Sequence, residues 1–162
     1  MRDGESRTQY MCRAAVLTAT VFVVTRFIQI PIPLGYFNIG NTVILLGCLL
    51  LPKSYGIFAG SVGSAMADLI SYPIYTVPTL LIKFLMPLVF YRLTKNGKLG
   101  NKGAAAIATL IPLFGYTLTG MIMYGSFYTG LSQFPGLALE YAANLVLFSL
   151  AQVYVRKIRF AA

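Results

Sequence analysis

The 162-residue sequence contains no histidine and no tryptophan, and aspartate and glutamate together occur only four times. Without histidine, and with its acids scattered along the chain, it cannot assemble a transition-metal site or a histidine-based catalytic triad. Charged residues make up 10% of the chain, whereas soluble domains carry about 25%. These absences exclude an ordinary soluble globular protein.

What the sequence does contain is apolar: 57% of its residues are hydrophobic and its mean hydropathy is +0.74. A formal net charge of +9 would suggest nucleic acid as the partner of a soluble chain. In so hydrophobic a chain the basic excess indicates orientation in a membrane instead. We therefore expect the lipid bilayer as a partner and no nucleic acid, and the length fits a single domain over residues 1–162.

Six apolar segments are candidate membrane spans, since a bilayer core about 30 Å thick needs about 20 apolar residues per helix. They end at proline, glycine or charged residues and cover residues 11–30, 42–51, 56–72, 76–93, 104–128 and 137–155. The second is short and must be tilted, packed among its neighbours or extended by part of the preceding loop. A signal peptide is the alternative for residues 1–30, but Arg26 interrupts that run and no cleavage motif follows.

The basic residues outside these segments all fall on one side of the predicted membrane. That side receives eleven lysines and arginines and the opposite loops receive none: Arg2, Arg7, Arg13, Lys53, Arg92, Lys95, Lys98, Lys102, Arg156, Lys157 and Arg159. By the positive-inside rule both termini are cytoplasmic. Cys12 and Cys48 lie near the same reducing side, so we expect them to be packing residues rather than a disulfide. The predicted fold is an all-α integral membrane protein, a bundle of six transmembrane helices whose second helix is short.

Small residues are concentrated in the third span: Gly56, Gly60, Ser61, Gly63, Ser64, Ala65 and Ala67. Small side chains let helix backbones approach closely in a membrane. This segment is therefore expected in the interior of the bundle.

Four charged residues, Arg26, Asp68, Lys83 and Glu140, fall inside spans and in their outer halves. Isolated charges at helix centres would cost about 2.5–3.5 kcal/mol each, so these four need partners. Two interpretations remain open. They form ion pairs that fix helix registry, with Arg26 as one partner, or they belong to a binding site that Arg26 contacts as well.

Polar and aromatic residues recur on the same helical faces as these charges. Helical spacing groups Glu140 with Asn144, Thr79 with Lys83, Ser61 and Ser64 with Asp68, and Tyr116 with Gly120, Tyr124 and Tyr128. The four-residue tyrosine steps predict a stripe on the fifth helix, with glycine leaving room for a flat ring. Both charge signs, amides, hydroxyls and aromatic planes suit a small polar ligand with a ring or a carboxylate. The external loop, residues 31–41, is the natural lid.

Several segments carry a family resemblance: YFNIGN (36–41), the short apolar helix that follows it, GSVGSAMADL (60–69), YPIY (72–75) and TLLIK (79–83). In order and spacing they resemble the substrate-binding S component of energy-coupling factor (ECF) vitamin transporters, in the branch related to the riboflavin S components. That family has six helices and cytoplasmic termini, which agrees with the topology above. Asn41 stands where that branch often has aspartate, which removes a negative charge near the lid.

The resemblance implies a mechanism and partners. S components capture a vitamin or precursor outside a prokaryotic cell, dock on a transmembrane coupling subunit that carries two ATPase subunits, and topple to release the ligand inside. Docking uses an Ala-x-x-x-Ala pattern that Ala15 and Ala19 match. The chain lacks the phosphate-binding loop Gly-x4-Gly-Lys-Ser/Thr, so ATP hydrolysis is expected in the partners, and no cofactor is expected here. The vitamin is expected to be pyridoxine or hydroxymethylpyrimidine, followed by riboflavin and pantothenate.

Two rival functions use the same charges. An intramembrane enzyme would use Asp68 and Glu140 as acid and base or Lys83 as nucleophile. A channel or structural subunit would need a polar path through the membrane, but the inner halves of the helices are almost wholly apolar. We therefore expect a one-sided binding cup with no catalytic residue and no metal. Its predicted substrate-binding residues are Tyr36, Asn38, Asn41, Asp68, Tyr75, Thr79, Lys83, Tyr116, Tyr124, Tyr128, Glu140 and Asn144.

Overall fold

The computed structural model describes residues 6–32, 35–95 and 99–161. Most of this chain is helical, in the order α1 (Arg7–Phe27), α2 (Gly40–Leu50), α3 (Lys53–Ser71), α4 (Thr76–Lys95), α5 (Asn101–Tyr124), α6 (Phe127–Ser132) and α7 (Phe134–Ala161). A 3₁₀ helix, Pro73–Tyr75, precedes α4. Two three-residue strands, β1 (Ile30–Ile32) and β2 (Gly35–Phe37), pair antiparallel between α1 and α2.

The predicted all-α membrane fold with six helices is confirmed, with the six-residue α6 as an additional turn of helix. By length and composition, four segments can cross a membrane: Arg7–Phe27, Pro73–Lys95, Asn101–Tyr124 and Phe127–Val155. The other two predicted spans fall short of that requirement. α2 has only 11 residues, and glycine, serine and alanine dilute the apolar side chains of α3.

α1 begins and ends earlier than its predicted range. The Ser6 hydroxyl accepts a hydrogen bond from the Gln9 backbone N–H at 3.3 Å, and the Gln9 side chain accepts one from the Ser6 backbone N–H at 3.0 Å. This capping box satisfies two N–H groups that a helix start otherwise leaves unpaired. At its other end α1 stops at Phe27, where the chain turns into β1, whose Pro31 disfavours a helical conformation in the residue before it.

The predicted fifth span, 104–128, is wrong at its carboxyl end. α5 ends at Tyr124, where Gly125 adopts a left-handed conformation with φ 62°. A side chain at that φ would be strained, so glycine permits the helix to stop there. The following residues form α6, capped by the Ser126 hydroxyl, which lies mostly in the interval between the fifth and sixth predicted spans.

α2 lies in the middle of the bundle, where it packs against α1, α3, α4 and α7. Its buried Ile44 joins a core that includes Phe90 of α4 and Phe148 of α7, whose rings meet edge to face at 5.9 Å. Packing among neighbours is therefore how this short helix is accommodated. Cys48 lies in the same core, whereas Cys12 is exposed, so the packing interpretation is wrong for Cys12.

The small residues of α3 lie inside the bundle, as predicted: Gly56, Gly60, Ser61, Gly63, Ser64, Ala65 and Ala67 are all buried. Gly63 shows why a small residue is needed. A Cβ atom there would lie 2.6 Å from the backbone oxygen of Thr18 on α1, so only glycine permits this separation of the two helices.

The two ends of the bundle differ in chemistry. The ends of α1, α3 and α5 meet the starts of α4 and α7 around a polar cavity beside the hairpin. The predicted cytoplasmic bases lie at other helix ends, with Lys53 starting α3, Arg92 and Lys95 finishing α4, and Lys102 starting α5. Of the remaining bases in that prediction, Arg2 and Lys98 lie outside the described residues, as do the side chains of Arg156, Lys157 and Arg159.

Candidate ligand-binding site

One cavity lies between the hairpin and the helix ends. It holds about 480 Å³ of space free of atoms, counting its open mouth. Eight of the residues predicted from the sequence line it: Tyr36, Asn38, Asp68, Tyr75, Thr79, Lys83, Tyr116 and Glu140. Five of the eight, Asp68, Thr79, Lys83, Tyr116 and Glu140, lie on α3, α4, α5 and α7, in the parts of these helices that surround the cavity.

Asp68, near the end of α3, connects the hairpin to α4. Its carboxylate accepts hydrogen bonds from the Tyr36 hydroxyl of β2 and from the Thr79 hydroxyl of α4. Since the Thr79 hydroxyl already donates its hydrogen to Asp68, the Tyr116 hydroxyl, 3.0 Å away, is the donor in its contact with Thr79. Burial and the neighbouring Asp68 carboxylate raise the pKa of Tyr36, so its hydroxyl remains a donor. The hairpin is thereby fastened across the cavity.

Asn41, in the first turn of α2, lies between the other two buried charges. Lys83 Nζ donates to Asn41 Oδ1 at 2.5 Å, and Asn41 Nδ2 donates to Glu140 Oε1 at 3.0 Å. A neutral amide thus links the cation to the anion. Asn41 itself lines a smaller cavity of about 180 Å³ on the far side of Glu140, not the main one.

Asn144, one turn beyond Glu140 on α7, supports the site from behind. Its Oδ1 accepts from the Thr42 backbone N–H and hydroxyl, both at 2.8 Å, and its Nδ2 donates to the Asn38 carbonyl oxygen at 2.9 Å. The Thr42 N–H lies in the first turn of α2, where backbone donors have no partner within the helix. Asn144 therefore fixes the start of α2 and the end of the hairpin segment instead of lining the cavity.

Two buried hydroxyls of the cavity wall have no partner. Within the described residues, Thr25 Oγ1 and Ser64 Oγ make no hydrogen bond. Buried polar groups are nearly always satisfied in native proteins. Hydroxyls left open in this way offer hydrogen bonds to a molecule that enters the cavity.

Tyrosine rings form the apolar part of the wall. The Tyr36 and Tyr72 rings lie 5.5 Å apart, and the Tyr75 and Tyr116 rings lie 6.4 Å apart, centroid to centroid. Lys83 Nζ is 5.5 Å from the centroid of the Tyr116 ring. Flat aromatic surfaces beside hydrogen-bonding groups suit a ligand with a planar ring.

The predicted tyrosine stripe on one helix is a further correction. Tyr116 lines the cavity, but Tyr124 is 44% exposed at the end of α5 and Tyr128 is 83% exposed on α6. The helix break at Gly125 takes Tyr128 off the stripe. The space at Gly120 holds the Gln133 amide, since a Cβ at Gly120 would lie 1.9 Å from Gln133 Nε2.

Arg26 lies apart from the other three charged residues of the predicted spans, which are Asp68, Lys83 and Glu140. Its guanidinium stacks 5.7 Å from the centroid of the Phe27 ring, and the residue is not among those that line the cavity in the described chain. The cavity wall therefore carries Asp68, Lys83 and Glu140 as its charged groups.

The cavity also includes residues that were not proposed from the sequence: Thr25, Ile32, Gly35, Ser64, Tyr72, Gln133 and Leu137. Helical spacing had already grouped Ser64 with Asp68, one turn later on α3, although Ser64 was not named as a binding residue. Gln133 lies between α6 and α7 and outside the predicted spans, so no helical periodicity pointed to it.

The two alanines proposed for docking lie on the open side of α1. Ala15 and Ala19 are both exposed, whereas Ala14 and Val21 face the bundle. The groove between Ala15 and Ala19 is thus accessible along the outside of the bundle.

Residues 6–158 match the family described as "ECF-type riboflavin transporter, S component". The chain belongs to this S-component family. This S component is also 35% identical over 111 residues to an uncharacterised protein from a gap 3′ region of Pyrococcus woesei, an alignment that covers 65% of this chain and 74% of the relative. The resemblance drawn from the sequence segments is confirmed, and the chain is a membrane-embedded, substrate-binding component of a transport system.

Proposed function

We propose that this S component captures a water-soluble vitamin or vitamin precursor from outside a prokaryotic cell for ATP-driven uptake. The observation that carries the proposal is the cavity beside the hairpin, where the buried Thr25 and Ser64 hydroxyls lack partners and charged residues and tyrosines line the same space. Membership in a transporter family supports capture and release rather than chemical conversion.

The proposal includes the orientation of the chain in the membrane. With basic helix ends at Lys53, Arg92 and Lys102 in the cytoplasm, the positive-inside rule puts both termini there too. The cavity then opens outward in the cell membrane, in a six-helix bundle that spans it.

The partners are a transmembrane coupling subunit and two ATPase subunits, which supply the energy. We propose that the coupling subunit docks on α1 at Ala15 and Ala19, whose exposure supports close approach of a second helix.

Pyridoxine or hydroxymethylpyrimidine is the preferred ligand, ahead of riboflavin and pantothenate, because the cavity combines tyrosine planes with hydroxyl and carboxylate groups in a compact volume.

Purification of the full chain with and without its coupling subunit, followed by mass spectrometry of the extracted ligand, tests this proposal. We expect a vitamin-like molecule that also raises the melting temperature of the purified chain. Turnover of a substrate by the isolated chain would contradict it.

A further inference from the structure

The formal charges of the cavity wall do not balance. Among the described residues, Asp68, Glu140 and Lys83 are the charged groups that line it, so two carboxylates face one ammonium. An unbalanced charge in a low-dielectric site is costly, and a ligand of opposite charge reduces that cost. The excess is one negative charge.

The negative charge is localised at the Asp68 end. Glu140 is linked to Lys83 through Asn41, with distances of 3.0 and 2.5 Å, so these two opposite charges belong to one network. Asp68 receives hydrogen bonds from the hydroxyls of Tyr36 and Thr79, which are neutral donors. A carboxylate has about four acceptor positions, which leaves Asp68 able to accept from a ligand.

The surroundings of Asp68 suit a cation. Ser64 and Thr25, which are 1% and 3% exposed, line the same cavity, and their buried hydroxyl oxygens have no hydrogen-bond partner. The Tyr36 and Tyr72 rings belong to the same cavity wall, with their centroids 5.5 Å apart. Aromatic faces and desolvated carboxylates both attract ammonium and protonated ring nitrogens.

We infer that this cavity selects a compact six-membered-ring ligand that carries a positively charged nitrogen, with that nitrogen at Asp68 and the Ser64 and Thr25 hydroxyls. The inference rests on the proposed capture of a vitamin or precursor, and it favours amine-bearing relatives over pyridoxine and hydroxymethylpyrimidine themselves, which are alcohols without net charge. Asn41 contributes to this selectivity because its side chain is a neutral amide, which leaves the site with an excess of one negative charge. A carboxylate-bearing ligand paired with Lys83 is the alternative that the test must distinguish.

A matched series of probes tests the charge. Pyridoxamine, pyridoxine and 4-pyridoxate share a ring and differ at one substituent, which is aminomethyl, hydroxymethyl or carboxylate. Titrated against the full chain in lipid nanodiscs, the amine should bind about tenfold more tightly than the alcohol, because a charged hydrogen bond is stronger than a neutral one. The carboxylate should bind most weakly. Hydroxymethylpyrimidine and its aminomethyl analogue repeat the comparison on a second ring.

Three variants test whether Asp68 is the source of the preference for the amine over the alcohol. Asp68→Asn should bring the amine-to-alcohol affinity ratio toward one, and Asn41→Asp should raise it by adding a carboxylate. Arg26→Gln, which changes the charge outside the cavity, should leave the ratio unchanged. The melting temperature of each variant without ligand reports its folding, and Asn41→Asp keeps the inference testable if Asp68→Asn does not fold.

Equal or tighter binding of the alcohol or the carboxylate, an unchanged ratio in a folded Asp68→Asn variant, or failure of both amines to bind would overturn the inference. Recovery of a neutral or anionic vitamin from cells would also overturn it but leave the proposed function standing. If cells yield no vitamin and no probe binds, both the inference and the proposed function fail.

Discussion

Asn41 shows how a single neutral side chain organises the buried charges. It accepts from Lys83 and donates to Glu140, so neither charge is left unsatisfied, although one lies on α4 and the other on α7. Opposite charges joined by a hydrogen-bonded amide avoid the cost of isolation in a membrane. The two interpretations of these residues, as partners that fix helix registry and as a binding site, are compatible, because Lys83 and Glu140 also line the cavity.

Removal of either charge should weaken ligand binding. We expect Lys83→Ala and Glu140→Gln to lower the affinity for the captured vitamin by about tenfold or more, since each leaves a buried group without its charged partner. Isothermal titration of the full chain measures this. Tyr128→Phe, on the exposed side of α6, is the control and should bind normally. Unchanged binding in both charge variants would restrict these residues to helix registry.

Tyr36 fastens the hairpin through its hydroxyl, so Tyr36→Phe should release ligand faster. The lost hydrogen bond to Asp68 is worth enough to raise the dissociation rate by about threefold to tenfold, while the ring and its packing on Tyr72 remain. Stopped-flow release of the bound vitamin gives the rate. A dissociation rate equal to that of the unmodified chain would mean that this contact does not retain the ligand.

At the scale of elements, the contact between α1 and α3 depends on backbone proximity. Gly63 faces the Thr18 carbonyl oxygen of α1, and Val21 lies within 3.0 Å of the position a Cβ would take. The cavity depends on this contact because Thr25 lies near the end of α1 and Asp68 near the end of α3. A shift of one helix would therefore move one wall of the site relative to the other.

Gly63→Ala should destabilise the bundle by about 1–3 kcal/mol, because the added methyl group overpacks a rigid backbone contact. Thermal unfolding of the full chain in detergent measures the loss. Gly100→Ala is the matched control, since a Cβ at Gly100 meets nothing within 4 Å. Equal melting temperatures for the two variants would show that the helices tolerate a wider separation.

Sequence periodicity predicted the helices and much of the cavity wall, but not the elements between them. Spacing grouped Thr79 with Lys83 and Ser64 with Asp68 because each pair lies on one helix. The hairpin has strands of three residues, too short for an alternating pattern. The bridge of Asn41 joins α2, α4 and α7, so it depends on tertiary packing. Tyr128 was misplaced because Gly125 was not recognised as the end of α5.

At the scale of the whole molecule, the proposed binding and docking sites lie on different surfaces. The cavity lies inside the bundle beside the hairpin, whereas Ala15 and Ala19 lie on the outer side of α1. A chain that captures a ligand and hands it to a coupling subunit needs this separation. The apolar outside of the bundle, with exposed residues such as Val16 and Ile122, faces lipid in the proposed orientation.

Replacement of Ala15 or Ala19 by Trp should abolish uptake and leave vitamin binding unchanged, because a large side chain keeps the partner helix at a distance. Uptake of labelled vitamin by vesicles with the complete transporter, compared with titration of the purified chain, separates the two effects. Val146→Trp, at an exposed position of α7, controls for bulk on the lipid-facing surface. Normal uptake by both alanine variants would exclude this docking site.

The most direct test of vitamin capture is an experimental structure of the full chain in lipid with its copurified vitamin. We predict that the ligand ring lies beside Tyr36, Tyr75 and Tyr116, under the hairpin, with polar groups at Asp68 and Glu140. A vitamin bound elsewhere, for example at Tyr124 and Tyr128 on the exposed side, with this cavity empty, would contradict the assignment of the site.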